Sequence, residues 1–167
     1  MPDDAIFKRN SHINTLYLLF SNTRVGGTEV YVFTRQGQRS DTSLGIGQAD
    51  DTERDSSPVN RHDAWTSVLA HALHRETIAG LKTADRGHKT KHMAVLRGLT
   101  CPGVLVESLF LSNEAEARRA ATPAYRQQIA DAMAAGIRSY AATLESVRPK
   151  SPVSPATLPR PAPSNSP

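Results

Sequence analysis

Glu107 is the residue whose surroundings most strongly suggest chemistry. It lies within the apolar stretch VLVESLFL at residues 104–111. Carboxyl groups are rarely buried unless they are paired, bind a metal or take part in a reaction. The end of a buried strand, before a loop and a helix, is also where α/β sheets present functional groups. A glutamate on the polar face of an edge strand is the alternative, and the apolar neighbours disfavour it. We therefore predict a functional role for Glu107.

The histidines are the other candidates, as metal ligands. His71 and His74 are three residues apart, and His88 and His92 are four apart. A zinc site normally needs a third protein ligand, and neither pair lies in an H-E-x-x-H arrangement. We interpret both pairs as solvated helix residues. His12 precedes Asn14 by two residues, which places both on one strand face, but this spacing alone assigns His12 no role.

The elements that must position these residues alternate between strands and helices. The run TEVYVFT at 28–34 predicts a strand interior to a sheet, and residues 104–111 predict a second buried strand. Residues 62–80 predict an amphipathic helix that ends at Gly80. Its expected apolar face is Trp65, Val68, Leu69, Ala72 and Leu73. This alternation predicts an α/β domain with a mainly parallel sheet.

Two helices are expected after the second strand. Asn113 is typical of an N-cap, and Glu116 three residues later predicts a capping box. Thr122 and Pro123 are typical of the start of a further helix. The expected apolar stripe of that helix is Tyr125, Ile129, Met133, Ile137, Tyr140 and Leu144.

The domain boundaries follow from composition. We assign residues 1–147 to one domain and residues 148–167, rich in Pro and Ser, to a disordered tail or linker. Within the domain, residues 36–61 hold few apolar side chains and predict a flexible insertion. A loop of this length often lies beside a binding site, although a tolerated insertion is an equal explanation.

Composition narrows the function classes. Lys and Arg total 20 against 16 Asp and Glu, and the two signs are interspersed, while aromatic residues are 5%. No basic stripe or stacking platform results, so we expect no nucleic-acid partner. No stretch approaches the roughly 20 apolar residues of a membrane span. The single cysteine, Cys101, excludes an internal disulfide. Residues 1–10 lack the apolar segment of a signal peptide.

Several short motifs occur together in a fixed order. They are SHIN at 11–14, GTEVY at 27–31, DRGHK at 85–89, VLR at 95–97, CPGVLVESLFLSN at 101–113, YRQQIA at 125–130 and GIRSY at 136–140. With them, residues 10–141 resemble the C-terminal part of the zinc-dependent N-acetylmuramoyl-L-alanine amidase domain, type 3. The resemblance implies a twisted sheet covered by helices. It also implies a cell-wall hydrolase (an autolysin) that cleaves the amide between N-acetylmuramic acid and the L-alanine of the peptidoglycan stem peptide.

The resemblance also implies a zinc site. In this family a histidine, a glutamate and a second histidine hold Zn²⁺, and a further glutamate in a V-L-V-E motif assists catalysis. His12 takes the place of the second histidine and Glu107 that of the catalytic glutamate. Zinc would activate water as the nucleophile, and Glu107 would move its proton. Family members act in the cell envelope, in the periplasm or after secretion, with peptidoglycan as the partner.

The first two zinc ligands of the family lie upstream of the second histidine. Only eleven residues precede His12 here, and none is His or Glu. We therefore expect an N-terminally truncated domain, with a sheet that is incomplete on that side and weak zinc binding. A fragment of a longer amidase and the product of a decayed or mis-started gene both fit. A catalytically inactive remnant that binds peptidoglycan is the alternative function, ahead of a basic module for an anionic partner.

Overall fold

The computed structural model describes residues 12–15, 23–41 and 56–148 of the 167 residues. Residues 149–167 of the predicted tail and residues 42–55 of the predicted insertion lie outside this part. The described strands are β1 (His12–Thr15), β2 (Thr28–Val32), β3 (Asp85–Thr90) and β4 (Gly103–Glu107). The helices are a 3-10 helix (Pro58–His62), α1 (Asp63–Leu81), α2 (Ala94–Arg97), α3 (Glu114–Ala121) and α4 (Pro123–Val147).

The four strands form one sheet in the order β1-β4-β2-β3. The β1–β4 and β2–β3 pairs are parallel, whereas β2 and β4 run antiparallel. The sheet is therefore mixed: two of its three strand pairs are parallel and one is antiparallel. The predicted α/β class is confirmed, and β2 and β4 are the interior strands.

Both faces of the interior strands are buried. Val30, Val104 and Val106 join a core with residues of α1 and α4, including Leu73 and Met133. The intervening residues of the same strands point into a second core, whose members are Tyr31, Phe33, Val59, Leu96 and Leu105. Fully burying one such side chain stabilises the fold by about 1.5–3 kcal/mol. Burial on both sides explains why these strands are apolar without alternation.

Helix α1 agrees with the predicted helix at 62–80 except at two points. Trp65, expected on the buried face, is 36% exposed. Its ring packs edge-on against that of Tyr140, with the two ring centres 6.4 Å apart. The helix also continues past Gly80 to Leu81, where the left-handed φ of 53° at the following Lys82 ends it. The N–H of Lys82 donates to the carbonyl of Ile78 at 2.9 Å, which closes the last turn.

Helix α4 begins as predicted at Thr122 and Pro123. The Thr122 hydroxyl accepts a hydrogen bond from the N–H of Tyr125 at 3.3 Å. The predicted stripe is buried or packed against the core except for Ile137, which is 37% exposed. Its expected place on the face toward α1 is taken by Gly136. No helix among the described residues has the length and apolar character to cross a membrane.

The end of the predicted insertion is ordered differently from expectation. Pro58–His62 forms a 3-10 helix, and Val59 within it is buried against the sheet. The side-chain amide of Asn60 donates to the carbonyl of Thr34 at 3.0 Å, which ties this turn to the end of β2. Val59 and Asn60 thus help to anchor a segment whose composition predicts a loop.

Candidate active site

Glu107 is the last residue of β4, and its side chain is fully buried. The buried stretch extends from Gly103 to Phe110, but the strand itself ends at Glu107, earlier than the sequence suggests. The predicted burial of this carboxyl is thus observed at the carboxyl end of an interior strand.

A second buried carboxyl, that of Glu29, lies opposite. The antiparallel register pairs Glu29 with Glu107, and directly paired residues point to the same face of a sheet. Oε1 of Glu29 accepts a hydrogen bond from the Tyr31 hydroxyl at 2.8 Å, and Oε2 accepts one from Nε of Arg86 at 2.9 Å. The Arg86 guanidinium also lies 5.1 Å from the centre of the Phe110 ring. Glu29 is a site residue that was not predicted from the sequence, although its spacing of two from Tyr31 indicates a shared strand face.

The surroundings of Glu107 favour the protonated form of its carboxyl group. Neither of its oxygens accepts a hydrogen bond from an N–H or O–H group in the described part of the chain. Burial, a hydrogen bond with Glu29 and the charge of Glu29 raise the pKa of Glu107 to about 9, although Arg86 and Lys91 act to lower it. Two buried carboxyl groups that face each other disfavour a second negative charge, so the pair behaves as a coupled acid.

Glu116 of α3 holds the backbone that frames this pair. Its carboxylate accepts hydrogen bonds from the N–H groups of Gly27 and Phe110, both at 2.7 Å. The Asn113 side chain caps α3 as predicted, accepting from the N–H groups of Ala115 and Glu116 at 3.1 and 3.2 Å. The predicted capping box is wrong in its second half, because the Glu116 carboxylate turns to the loops before β2 and after β4.

His12 lies away from Glu107 along the sheet. In the parallel β1–β4 register, His12 is opposite Gly103, four positions before Glu107, so the backbone does not bring the two together. In residues 23–41 and 56–148 no group of three or more His, Cys, Asp or Glu side chains is placed to hold a metal ion. The described residues therefore do not fit a complete three-ligand zinc site.

The other histidines form a separate cluster. His74 is 14% exposed, with Nε2 2.8 Å from Oδ1 of Asp85. His88 lies on β3, not on a helix, and its ring centre is 4.7 Å from that of His74 and 6.4 Å from that of His71. His74 is therefore on a helix as predicted but largely buried, whereas His88 is exposed as predicted but lies on a strand. His92 follows β3 and is also not helical.

A family comparison decides the ancestry of the chain. The family described as N-acetylmuramoyl-L-alanine amidase matches residues 11–139, which is most of the sequence. The chain belongs to this family. The predicted recognition is confirmed, and the amidase family is generally zinc-dependent.

Curated relatives of the amidase family agree. The N-acetylmuramoyl-L-alanine amidase AmiA of Salmonella typhimurium is 30% identical over 139 residues, covering 72% of this chain and 48% of its own length. An uncharacterized cell wall amidase of Bacillus anthracis is 40% identical over 73 residues, covering 44% of this chain and 14% of its own. The chain thus spans about half the length of AmiA.

Solved structures show the same amidase fold. The catalytic domain of CwlV, an N-acetylmuramoyl-L-alanine amidase from Paenibacillus polymyxa, superposes with a TM-score of 0.59 at 20% identity, covering 82% of this chain and 60% of that one. An N-acetylmuramoyl-L-alanine amidase from Clostridium difficile has a TM-score of 0.57 at 21% identity, covering 81% and 58%. The predicted fold class is confirmed by these likenesses.

Proposed function

We propose that this chain is a peptidoglycan hydrolase that cleaves the amide between N-acetylmuramic acid and the L-alanine of the stem peptide. The family match over residues 11–139 carries the proposal. The buried Glu107 at the end of β4 supports it, because amide hydrolysis needs a group that moves a proton from water to the leaving nitrogen. Its place of action is then the cell envelope, where peptidoglycan lies.

Glu107 supplies the acid–base part of the reaction. Its carboxylate takes a proton from the attacking water while the water oxygen bonds to the scissile carbonyl carbon. The protonated carboxyl then gives this proton to the L-alanine nitrogen as the C–N bond breaks. A carboxyl with an ordinary pKa near 4 holds the proton weakly at neutral pH. The raised pKa of Glu107 suits the second half of this cycle.

Zinc is the cofactor implied by the family, with His12 proposed as one ligand. When bound, it would polarise the scissile carbonyl and lower the pKa of water. The described residues do not complete the zinc ligand set. His12 pairs with Gly103, which is four residues before Glu107 in β4. Zinc dependence is therefore tested by comparing hydrolysis with added zinc and with a chelator. This test is separate from that of the proton transfer assigned to Glu107.

The experiment is a digest of purified peptidoglycan by the 167-residue chain, with added zinc or with a chelator. Mass spectrometry should detect free stem peptides that begin with L-alanine. Glu107→Gln should abolish their release and leave zinc affinity nearly unchanged. Glu145→Gln is the matched control, because this carboxylate is exposed at the far end of α4. Equal release by the Glu107→Gln and control variants would refute the assignment.

A catalytically inactive peptidoglycan-binding remnant is the second candidate. The observation in its favour is that residues 23–41 and 56–148 contain no three-residue metal-binding group. This candidate predicts saturable binding of the folded chain to sacculi, with no stem peptides released at any zinc concentration. Release of stem peptides by the wild-type chain would exclude it.

A further inference from the structure

We propose that Glu29 is a positioning residue that strengthens the hold of the Glu107 carboxyl on its proton. The inference rests on the proposed function, in which Glu107 exchanges that proton with water and the leaving nitrogen. It assigns a role to a fully buried carboxyl that the hydrolysis step does not itself use.

The two carboxyl groups differ in their donors. Glu29 accepts on both oxygens, from the Tyr31 hydroxyl and from the charged Arg86 guanidinium. Hydrogen bonds to the ionised form of an acid favour that form. Glu107 has no such donor within the described residues. When the pair holds one proton, the proton therefore belongs on Glu107, and the ionised Glu29 is its acceptor.

The geometry fixes Glu29 more firmly than Glu107. Tyr31 shares its strand face, and Arg86 reaches across from the neighbouring strand β3 while lying over the Phe110 ring. A carboxylate gripped on both oxygens keeps its orientation, so it presents a constant negative charge to Glu107. Glu29 thereby presents its charge in one fixed orientation to Glu107, which lies opposite it in the β2–β4 register.

The charged and titratable neighbours of Glu107 act in two directions. Glu29 favours its protonated form, whereas Arg86 of β3 and Lys91, just after β3, favour its ionised form. Tyr31 is a further titratable neighbour. Burial and the hydrogen bond that its hydroxyl donates to Glu29 raise the pKa of Tyr31 well above the usual range. Tyr31 therefore remains a neutral donor, and Glu29 is the neighbour whose removal should release the Glu107 proton.

The test is an infrared titration of the full chain carrying ¹³C-labelled glutamate, between about pH 4 and pH 10. A protonated carboxyl group gives an infrared C=O band. The band that is present in wild type and absent in Glu107→Gln is assigned to Glu107. Glu29→Gln should lower the pH at which Glu107 loses its proton by about 1–3 units, because it removes a like charge. Arg86→Gln should raise that pH, because it removes a cation. Glu145→Gln should leave it unchanged.

The opposite directions separate positioning from general structural damage. A titration in Glu29→Gln that is unchanged or moved upward would overturn the proposal. Should that variant fail to fold, Tyr31→Phe decides: it removes a donor from Glu29 without changing a charge, so part of the Glu107 proton band should pass to Glu29, and an unchanged band overturns the proposal. In the peptidoglycan assay, Glu29→Gln should move the rising limb of kcat/KM to lower pH by the same amount. An infrared shift without any release of stem peptides by wild type would refute the proposed function and leave the proton assignment standing.

Discussion

Glu116 accepts a hydrogen bond from the backbone N–H of Gly27 at 2.7 Å, although the two residues are 89 positions apart in the chain. The other carboxylate oxygen accepts from the N–H of Phe110, also at 2.7 Å. One side chain therefore joins the loop that enters β2 to the loop that leaves β4. These are the strands that carry Glu29 and Glu107, so Glu116 helps to set their relative position.

Replacing Glu116 should therefore destabilise the domain. Glu116→Ala leaves two part-buried N–H groups without their charged acceptor, and each such loss costs about 1–3 kcal/mol. We expect the free energy of unfolding, measured by urea titration, to fall by about 2–6 kcal/mol. Glu114→Ala is the control, since this exposed carboxylate pairs with Arg118 one turn on, and it should cost less than about 1 kcal/mol. Equal losses would show that helix charge alone accounts for the effect.

The role of Glu116 shows where sequence reasoning stops. The spacing of Asn113 and Glu116 correctly predicts the start of α3, because a helix cap depends only on neighbouring residues. The same spacing assigns the Glu116 carboxylate to that cap. Its actual partner, Gly27, is brought near by the antiparallel β2–β4 pairing, and no local pattern encodes that pairing.

Gly136 sets how closely α4 approaches α1. A Cβ added there would lie 2.8 Å from Cα of Leu73, and a backbone atom cannot move aside cheaply. Gly136→Ala should therefore destabilise the fold by about 1–3 kcal/mol in thermal or urea unfolding. This loss outweighs the roughly 1 kcal/mol that alanine gains in helix propensity.

Gly98→Ala is the control for that substitution. Gly98 has a negative φ of −87°, and an added Cβ meets no atom within 4 Å. Its unfolding free energy should change by less than about 0.5 kcal/mol. A neutral or stabilising Gly136→Ala would mean that α4 can shift away from α1 without loss.

The histidine cluster should make stability depend on pH. Partial desolvation first, and then the nearby His74 and His71, lower the pKa of the partly exposed His88 below 6.5. The unfolded chain therefore binds a proton that the folded chain resists. Stability is fully present above pH 6.5 and is lost as the pH falls from there through the lowered pKa.

The measurement is the urea midpoint from pH 8 down to pH 5. His88→Gln should reduce the fall, because a neutral amide has no proton to gain. His62→Gln removes a histidine outside the cluster and should keep the wild-type slope. A slope equally steep in His88→Gln would exclude His88 as its source.

The candidate site was predictable only in part, for a similar reason. Glu107 stands out because a carboxyl in an apolar run is costly to bury, and that cost is visible in the local sequence. Glu29 lies in an equally apolar strand, but its significance depends on being opposite Glu107 and within reach of Arg86. Strand order and register are properties of the whole sheet. The residue spacing along the sequence therefore could not predict that Glu29 lies opposite Glu107 and bonds to Arg86.

Glu107 itself should cost the protein stability at neutral and alkaline pH. Its pKa is raised to about 9, mainly by burial and then by Glu29. An acid with a raised folded pKa contributes its full stability below the unfolded value of 4.5, and that stability is lost as the pH rises toward 9. Glu107→Gln keeps the size of the side chain and remains neutral throughout this range.

Glu107→Gln should therefore unfold at a higher urea concentration than wild type at pH 8, and at a similar one near pH 4. Glu145→Gln, an exposed change, should follow the wild-type dependence at both values. The same Glu107→Gln protein should release no stem peptides. Greater stability together with lost hydrolysis is the signature of a group retained for chemistry at the expense of stability. A wild-type pH dependence in Glu107→Gln would instead mean that another group carries the proton.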